Sequence, residues 1–306
     1  MIYRKSPPKG MRPARLPTRP WRAQKAARAL AVFLTATSVW LAVPGAWAPA
    51  PSRAETAALA STPTPPDDLV PETRGRVVEA VDADTVILAD GREVRLVGIQ
   101  TPKLPLGRDM DPWPLAEPAR AALADLVAGH EVALAFGGRR RDRHGRHLAH
   151  LFRIRNDDTT GLWVQAAMLA QGWARVYSFA DNRTAVKSML RVERAARAAG
   201  RGIWADPYYR VRTTDEAHDA VNSFQLVAGR VRATAKVRGR VYLNFGADWR
   251  EDFTISVPPG AVSRFEDAGI DPQTHEGRWV RVRGWIESYN GPLIEATHPE
   301  QIEVIR

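Results

Sequence analysis

The chain has 306 residues, no cysteine, 44% hydrophobic and 25% charged residues, and a formal charge of +10. This composition belongs to an ordinary folded chain of roughly two domains and excludes collagen, coiled coil and bulk disorder. The missing cysteines exclude disulfides, Cys zinc sites, iron–sulfur clusters and a cysteine nucleophile.

The charge is not spread evenly. Residues 1–54 hold ten Lys or Arg and no acid, and in 55–306 the remaining 34 basic residues face 34 acidic ones. The excess of positive charge is therefore a property of the leader and carries no message about a ligand. Nine cations from Arg4 to Arg28 precede an apolar stretch from Ala29 to Val43, interrupted only by Thr35, Thr37 and Ser38. Its fifteen residues rise about 22 Å as a helix, short of the roughly 30 Å of bilayer hydrocarbon. Small residues follow at Ala46 and Ala48, and again at Ser52 and Ala54. The pattern predicts an export signal over 1–54, or a signal anchor if it is not cut. An organelle transit peptide is the remaining alternative. The expected location is the periplasm or the extracellular side, tethered to the membrane if the signal stays on, with no other membrane partner expected.

Residues 55–72 are rich in Ala, Pro, Ser and Thr and read as a flexible linker. Regular structure is expected from Arg74. Arg76–Val81 reads as a strand, Thr85–Leu88 as a second, and Asp90-Gly91 as the tight turn into a third, Glu93–Val97. The proline-rich residues 102–116 form a loop. Helical spacing follows over Glu117–Ala128, then a strand over Glu131–Phe136, a turn at Asp142–Gly145 and a strand over Leu148–Ile154. Leu162–Gln171 reads as a helix stopped by Gly172, and Asn182 as the N-cap of a long helix to Ala199. These elements make one domain, 73–206. Polar residues 207–222 read as a linker. A second unit, 223–306, alternates as strands over Phe224–Ala235, Val237–Phe245 and Phe253–Val257. A short helix follows over Pro258–Ala268, and further strands over Trp279–Glu287, Leu293–Ala296 and Ile302–Ile305.

Four motifs stand in order in the first domain. They are Asp82-Ala83-Asp84-Thr85, then Arg95-Leu96-Val97-Gly98-Ile99-Gln100-Thr101-Pro102, then Arg141-Asp142-Arg143-His144-Gly145-Arg146, and finally Gly202-Ile203-Trp204. Together with the element order, they resemble the staphylococcal nuclease (thermonuclease) family over about residues 74–205. The resemblance implies an α+β fold: a five-stranded oligonucleotide/oligosaccharide-binding (OB) barrel with three helices. It also implies a calcium-dependent phosphodiesterase site acting on DNA and RNA. By motif, Asp84 and Thr101 correspond to metal ligands, and Arg95 and Arg146 to the arginines that hold the phosphate and its transition-state charge. Asp82 lies two residues from Asp84 and would share its strand face near a metal, or cap the turn at Ala83.

Two positions depart from the family pattern Asp-Thr-Pro-Glu, which reads Gln100-Thr101-Pro102-Lys103 here. Gln100 stands where a metal carboxylate is expected. An amide oxygen can ligate calcium but brings no charge, so the site is expected to be weakened or lost. Lys103 stands at the general-base position. A lysine in a wet site is an ammonium at neutral pH, so it cannot take a proton from water and would repel calcium. Lys103 could instead act as a third phosphate ligand. Asp109, Asp111 and Glu117 on the following loop could supply a replacement carboxylate, but solvated loop charges are the expectation.

For Arg95, a pairing with a core acid such as Asp84 is the alternative to phosphate binding. Seven Arg and one Asp lie between Gly137 and Arg155, a local field suited to a polyanion. Arg141, Arg143 and His144, with Tyr177 and Phe179 as stacking rings, are the expected nucleic-acid contacts. His144, His147 and His150 alternate faces of a strand and should not converge on a metal. In the second unit, Arg230, Arg232, Lys236, Arg238 and Arg240 alternate with apolar residues near Tyr242, Phe245, Trp249, Trp285 and Tyr289. The unit resembles a second OB barrel, yet 207–306 carries 13 basic and 14 acidic residues, so no global field supports a polyanion there.

The resulting expectation is an exported thermonuclease-like protein that binds DNA, RNA or another phosphate-bearing ligand through a degenerate site. A working metal-dependent endonuclease and a non-catalytic envelope scaffold are the alternatives. Oligomeric state is open.

Overall fold

The computed structural model describes residues 68–105, 111–155, 157 and 159–305. All lie in one compact unit, Ala50–Arg306. The expected leader, 1–54, residues 55–67 of the expected linker, and Asp109 fall outside the described residues.

The first barrel is built from β1 (Pro71–Asp82), β2 (Thr85–Leu88), β3 (Glu93–Leu96), β5 (Glu131–Ala135) and β6 (His147–Ile154). β1 is long enough to serve two neighbours: its first half pairs with β5 and its second with β2. β2 pairs with β3, β5 with β6, and the parallel pair β3–β6 closes the ring. Closure leaves these five strands without a free edge. Val77, Val86, Leu88, Val94, Leu96 and Leu134 fill the inside. β4 (Ile99–Gln100) leaves the barrel to pair with β8 (Arg175–Val176). β7 (Thr160–Trp163) pairs antiparallel with β6.

Three helices pack on this barrel: α1 (Ala116–Val127), α2 (Val164–Gln171) and α3 (Val186–Ala198). Seven of the eight α2 residues are buried, so α2 is a core helix, and Gly172 at φ 80 ends it. The expected helix start at Leu162 is a strand end instead, because Phe152–Trp163 pairing holds the chain extended to Trp163. Asn182 does not cap α3. The helix begins four residues later, after Ala185 at φ 66.

The second barrel repeats the wiring. It contains β9 (Arg212–Thr213), β10 (Phe224–Arg230), β11 (Ala233–Val237), β12 (Arg240–Asn244), β13 (Thr254–Val257), β14 (Trp279–Ser288), β15 (Pro292–Glu295) and β16 (Ile302–Val304). The expected single strand 224–235 is broken at Val231 and Arg232. Its first half, β10, pairs with β14, and its second half, β11, with β12. β12–β13, the parallel pair β13–β15, and β15–β14 complete the circuit. As in the first barrel, a helix, α4 (Pro259–Glu266), joins the third strand to the fourth. Residues 207–222, expected as a linker, hold β9 and short 3-10 turns, and Ala217 and Ala220 enter the second core.

A buried ionic cluster joins the barrels. Arg283 on β14 donates to both oxygens of Glu193 on α3, at 2.7 and 3.0 Å, and to Glu303 on β16 at 2.5 Å. Glu193 also accepts from Arg197 and from the Val176 N–H, each at 2.6 Å. Burial would raise the Glu193 carboxyl, but the charges of Arg283 and Arg197 and these hydrogen bonds hold it below its ordinary value. Arg183 clasps Glu300 at 2.9 and 3.0 Å, and Ser178 meets His298 at 2.7 Å. Among the described residues, no helix is long and apolar enough to cross a membrane.

Candidate functional site

The β1–β2 turn puts Asp82 and Asp84 side by side at the barrel mouth. Asp84 is fully buried. Its Oδ2 accepts from Thr101 Oγ1 at 2.9 Å and from Lys103 Nζ at 2.5 Å, and lies 2.8 Å from Arg95 Nη1. Lys103 Nζ also donates to Asp82 Oδ2 at 2.7 Å. Asp82 Oδ1 accepts from the Ala83 N–H at 2.8 Å, the turn-capping geometry. Burial pushes the Asp84 carboxyl up, but the Arg95 and Lys103 charges and the hydrogen bonds outweigh it and hold the group below its usual range. Two carboxylates thus face two cations.

This donor set does not fit a calcium ion. Calcium needs six to eight oxygens at about 2.3–2.6 Å. The Asp84 oxygen that would serve is already 2.5 Å from an ammonium. Gln100 is not aimed at Asp84; its Oε1 accepts from Arg175 Nε at 2.8 Å. Thr101 contributes its hydroxyl as a donor to Asp84. Asp111 and Glu117 are exposed, and Glu117 pairs with Arg120 at 2.9 Å, away from Asp84. Among the described residues, no group of three or more His, Cys, Asp or Glu could hold a metal ion.

Beside this cluster runs an open groove of about 520 Å³, lined by residues including Arg95, Arg143, His144, Arg146, Tyr177 and Phe179. Arg139, Asp142 and Asp181 also line it, so four arginines face two acids. Arg95 is partly spent on its own loop. Besides Asp84, its Nη1 donates to the Asp84 and Leu96 carbonyls and its Nη2 to the Ile99 carbonyl. Arg146 keeps more of its fork free. Its Nε donates to Asp142 Oδ2 at 2.7 Å, while Glu93 lies 3.9 Å from Nη1. Asp142 Oδ1 also accepts from the N–H groups of His144 and Arg146, so the turn that ends at Gly145 fixes where Arg146 points. Burial pushes the Asp142 carboxyl up, but its hydrogen bonds to Arg146 and His144 hold it low. Arg143 Nε donates to His144 Nε2 at 3.0 Å. Arg141 is not in the groove. It donates to the Gly145 carbonyl at 2.9 Å and lines a neighbouring cleft with Arg92 and His147.

The aromatic wall is a stack. Phe179 is half-exposed and meets Tyr177 edge-on at 4.6 Å, and Tyr177 meets Phe224 edge-on at 4.7 Å. Phe224 belongs to β10, so the second barrel braces the wall of the first barrel's groove. Arg175 adds to the brace. Its Nη2 donates to the Phe224 carbonyl at 2.8 Å and its guanidinium lies 4.8 Å over the Phe224 ring. Burial lowers the Arg175 pKa to about 10. Gly98 forms the floor at φ 84, and a Cβ there would lie 2.5 Å from Met189 Cε.

Sequence reasoning did not place Asp181 or Asn182 at the groove, and counted Arg139 only as part of the basic run between Gly137 and Arg155. Asn182 is buried and donates to the Arg139 carbonyl at 3.0 Å, while Gly138 allows Asp181 to approach. The glycine pair Gly137-Gly138 was the available signal. Arg175, Glu193 and Arg283 left no signal of their burial in the sequence, because it depends on contacts across the two barrels, Arg175 with the Phe224 carbonyl and Arg283 with Glu193. The three histidines do not converge. His150 is buried with Nδ1 unpartnered, and burial depresses its pKa to about 3.

A family model described as staphylococcal nuclease homologue matches residues 93–206. Protein ParB of Escherichia coli is 35% identical over 143 residues, covering 45% of this chain and 75% of that protein. An uncharacterized endonuclease of Escherichia coli O157:H7 is 32% identical over 141 residues, covering 45% of this chain and 81% of its own. A probable staphylococcal-like nuclease, CAN2, of Oryza sativa subsp. japonica is 30% identical over 123 residues, covering 40% of this chain and 28% of its own.

Proposed function

Because the chain belongs to the staphylococcal nuclease homologue family, we propose that it is a calcium-independent, weakly or non-hydrolytic member that binds DNA or RNA in the Arg146 groove. The observation that carries this is the Lys103 ammonium seated on both Asp82 and Asp84. A cation built into the chain takes the carboxylate oxygens that a metal would need. The same side chain occupies the position of the general base, and an ammonium donating to two carboxylates has no lone pair to offer water.

What remains is a phosphate grip. Arg146, Arg139 and Arg143 offer charge-assisted donors at the groove, and Arg95 offers what its loop bonds leave free. Tyr177 and Phe179 offer ring edges and faces for bases, a combination suited to single strands. Arg141 would act from the side, as part of the field. In this reading the Asp84 cluster is a structural clasp that holds Arg95 in place. The leader supports export to the periplasm or beyond, and fractionation of the full chain tests that part.

The deciding experiment is digestion of plasmid and single-stranded oligonucleotide with calcium, with manganese and with chelator, alongside anisotropy of a labelled oligonucleotide. Binding that survives chelator without metal-stimulated cleavage is expected. Robust cleavage abolished by chelator would establish the active endonuclease instead, the reading favoured by the names of its relatives. Neither binding nor cleavage would favour a scaffold.

A further inference from the structure

The second barrel carries a cleft of its own. It lies on the outward face of β11, β12, β13 and β15. Register places Ala235, Tyr242, Ser256 and Glu295 in one cross-strand row, and Ala233, Asn244, Thr254 and Leu293 in the next. Trp249, from the loop between β12 and β13, and Tyr289 and Asn290, from the β14–β15 turn, stand around it. The cavity measures about 440 Å³.

Three features mark it as a built site. First, the two loops that wall it are locked together. Gly291 sits at φ 83, where a Cβ would lie 2.2 Å from the Glu251 carbonyl oxygen, so only glycine lets the turn approach. Asp252 Oδ2 accepts from the Asp248 N–H at 2.7 Å and holds the other loop. Second, two large rings stand half or more exposed beside the same cleft: Trp249 is 51% and Tyr289 65% exposed. Arg250 lies 4.5 Å from the centre of the Trp249 ring and steadies it. Third, hydrogen-bonding capacity is left open. Among the described residues, no bond engages the Asn290 amide, the Tyr242 hydroxyl or the Asn244 Nδ2; Asn244 Oδ1 makes only a long 3.4 Å contact with Thr254.

The charge of the lining selects the ligand. No Lys, Arg, Asp or Glu lines the cleft. The charged pair on the same face, Arg240 and Glu295, neutralises itself at 2.8 Å, with Arg240 also held by Ser256 at 2.6 Å. A single-stranded nucleic acid would need a row of cations along its backbone beside the stacking rings; the cleft lining has none, and the cation against the Trp249 ring, Arg250, also faces Asp248 at 3.8 Å. Aromatic faces with amides and hydroxyls suit an uncharged ring whose flat sides are apolar and whose edge carries hydroxyls. The barrel type is also one that holds oligosaccharides on such a face. We infer that the second barrel binds a neutral oligosaccharide in this cleft, through Trp249, Tyr289, Tyr242, Asn244 and Asn290. The site is separate from the Arg146 groove and does not depend on the reading of that groove.

The test is isothermal titration of the purified protein with three neutral hexasaccharides, built from β-1,4-glucose, α-1,4-glucose and β-1,4-N-acetylglucosamine, and with a dT12 oligonucleotide. At least one sugar should bind with Kd in the range of about 10 μM to 1 mM. Trp249→Ala should weaken it about tenfold or more, Trp249→Phe should restore most of the loss, and Asn290→Ala should weaken it by several-fold. Arg146→Ala should leave sugar binding unchanged. Circular dichroism of each variant separates loss of the site from loss of fold, and Tyr289→Ala, another exposed position, is the second variant should Trp249→Ala unfold. The inference is overturned if no sugar binds, or if folded Trp249→Ala and Tyr289→Ala bind as well as the parent. It is also overturned if these variants lose dT12 and not sugar, which would assign the cleft to nucleic acid.

Discussion

Replacing Lys103 by glutamine should turn the Asp84 cluster into a cation site. Asp82, Asp84, Arg95 and Lys103 sum to zero charge in the parent, so a divalent ion meets no net attraction. Lys103 Nζ is 2.5 Å from Asp84 Oδ2 and 2.7 Å from Asp82 Oδ2, and its side chain is 25% exposed. A dication bound to the same oxygens would lie roughly 4 Å from the ammonium. At an effective dielectric of about 20, the repulsion is about 8 kcal/mol before water screens it. If screening leaves only a quarter, about 2 kcal/mol remains, which is roughly 30-fold in affinity. Lys103→Gln should therefore bind calcium at least about 30-fold more tightly than the parent. Isothermal titration, and the rise in melting temperature with added calcium, both read this. The same change removes a charge-assisted hydrogen bond from a buried carboxylate, so in chelator the variant should lose about 1–3 kcal/mol of stability. A parent that binds calcium as tightly as Lys103→Gln would show that the ammonium does not hold the site, and the clasp argument would fail.

Arg283→Met should cost about 3–5 kcal/mol, read in a urea titration, because it leaves buried Glu193 short of its bidentate partner; a loss under 1 kcal/mol would mean that the cluster does not join the barrels energetically. Stability should be level above about pH 7 and fall as the pH drops through 6.5 toward 4. Burial depresses His150 to about 3 and His298 to about 4, so the unfolded chain takes up those protons first. Each histidine should cost about 2 kcal/mol at pH 5, and Asp84 and Glu193, both held low, add a further loss below about pH 4. A melting temperature constant from pH 7 to pH 5 would contradict this. Arg146→Ala should weaken single-strand binding and lower the slope of log affinity against log salt by about 0.7, measured by anisotropy at several salt concentrations; an unchanged slope would remove Arg146 from the phosphate grip. Phe179→Ala, at an exposed ring, should cost about 1–3 kcal/mol of the same binding and leave the melting temperature nearly unmoved.

Much of the first barrel was legible in the chain because its signals are local. The Asp90-Gly91 turn, the alternation through Val94 and Leu96, and the glycine stop at Gly172 each act within a few residues. The motif order around Asp84, Arg95 and Arg146 was legible for the same reason, and so were the substitutions Gln100 and Lys103. What those side chains do was decided only by the tertiary structure. Whether Lys103 points at a phosphate or at Asp82 and Asp84 depends on the loop beyond β4 folding back over the β1–β2 turn. Whether Gln100 meets Asp84 or Arg175 depends on β8 pairing with β4. The break at Val231 and Arg232 is likewise non-local: one half of the strand follows β14 and the other β12, so the barrel closes only where the chain bends. Glu193 and Arg283 are 90 residues apart and read separately as surface charges. Each finds one counter-charge in its own barrel, Arg197 for Glu193 and Glu303 for Arg283, and the meeting of the two barrels adds the two-pronged Arg283–Glu193 pair that completes the charge balance of the interior.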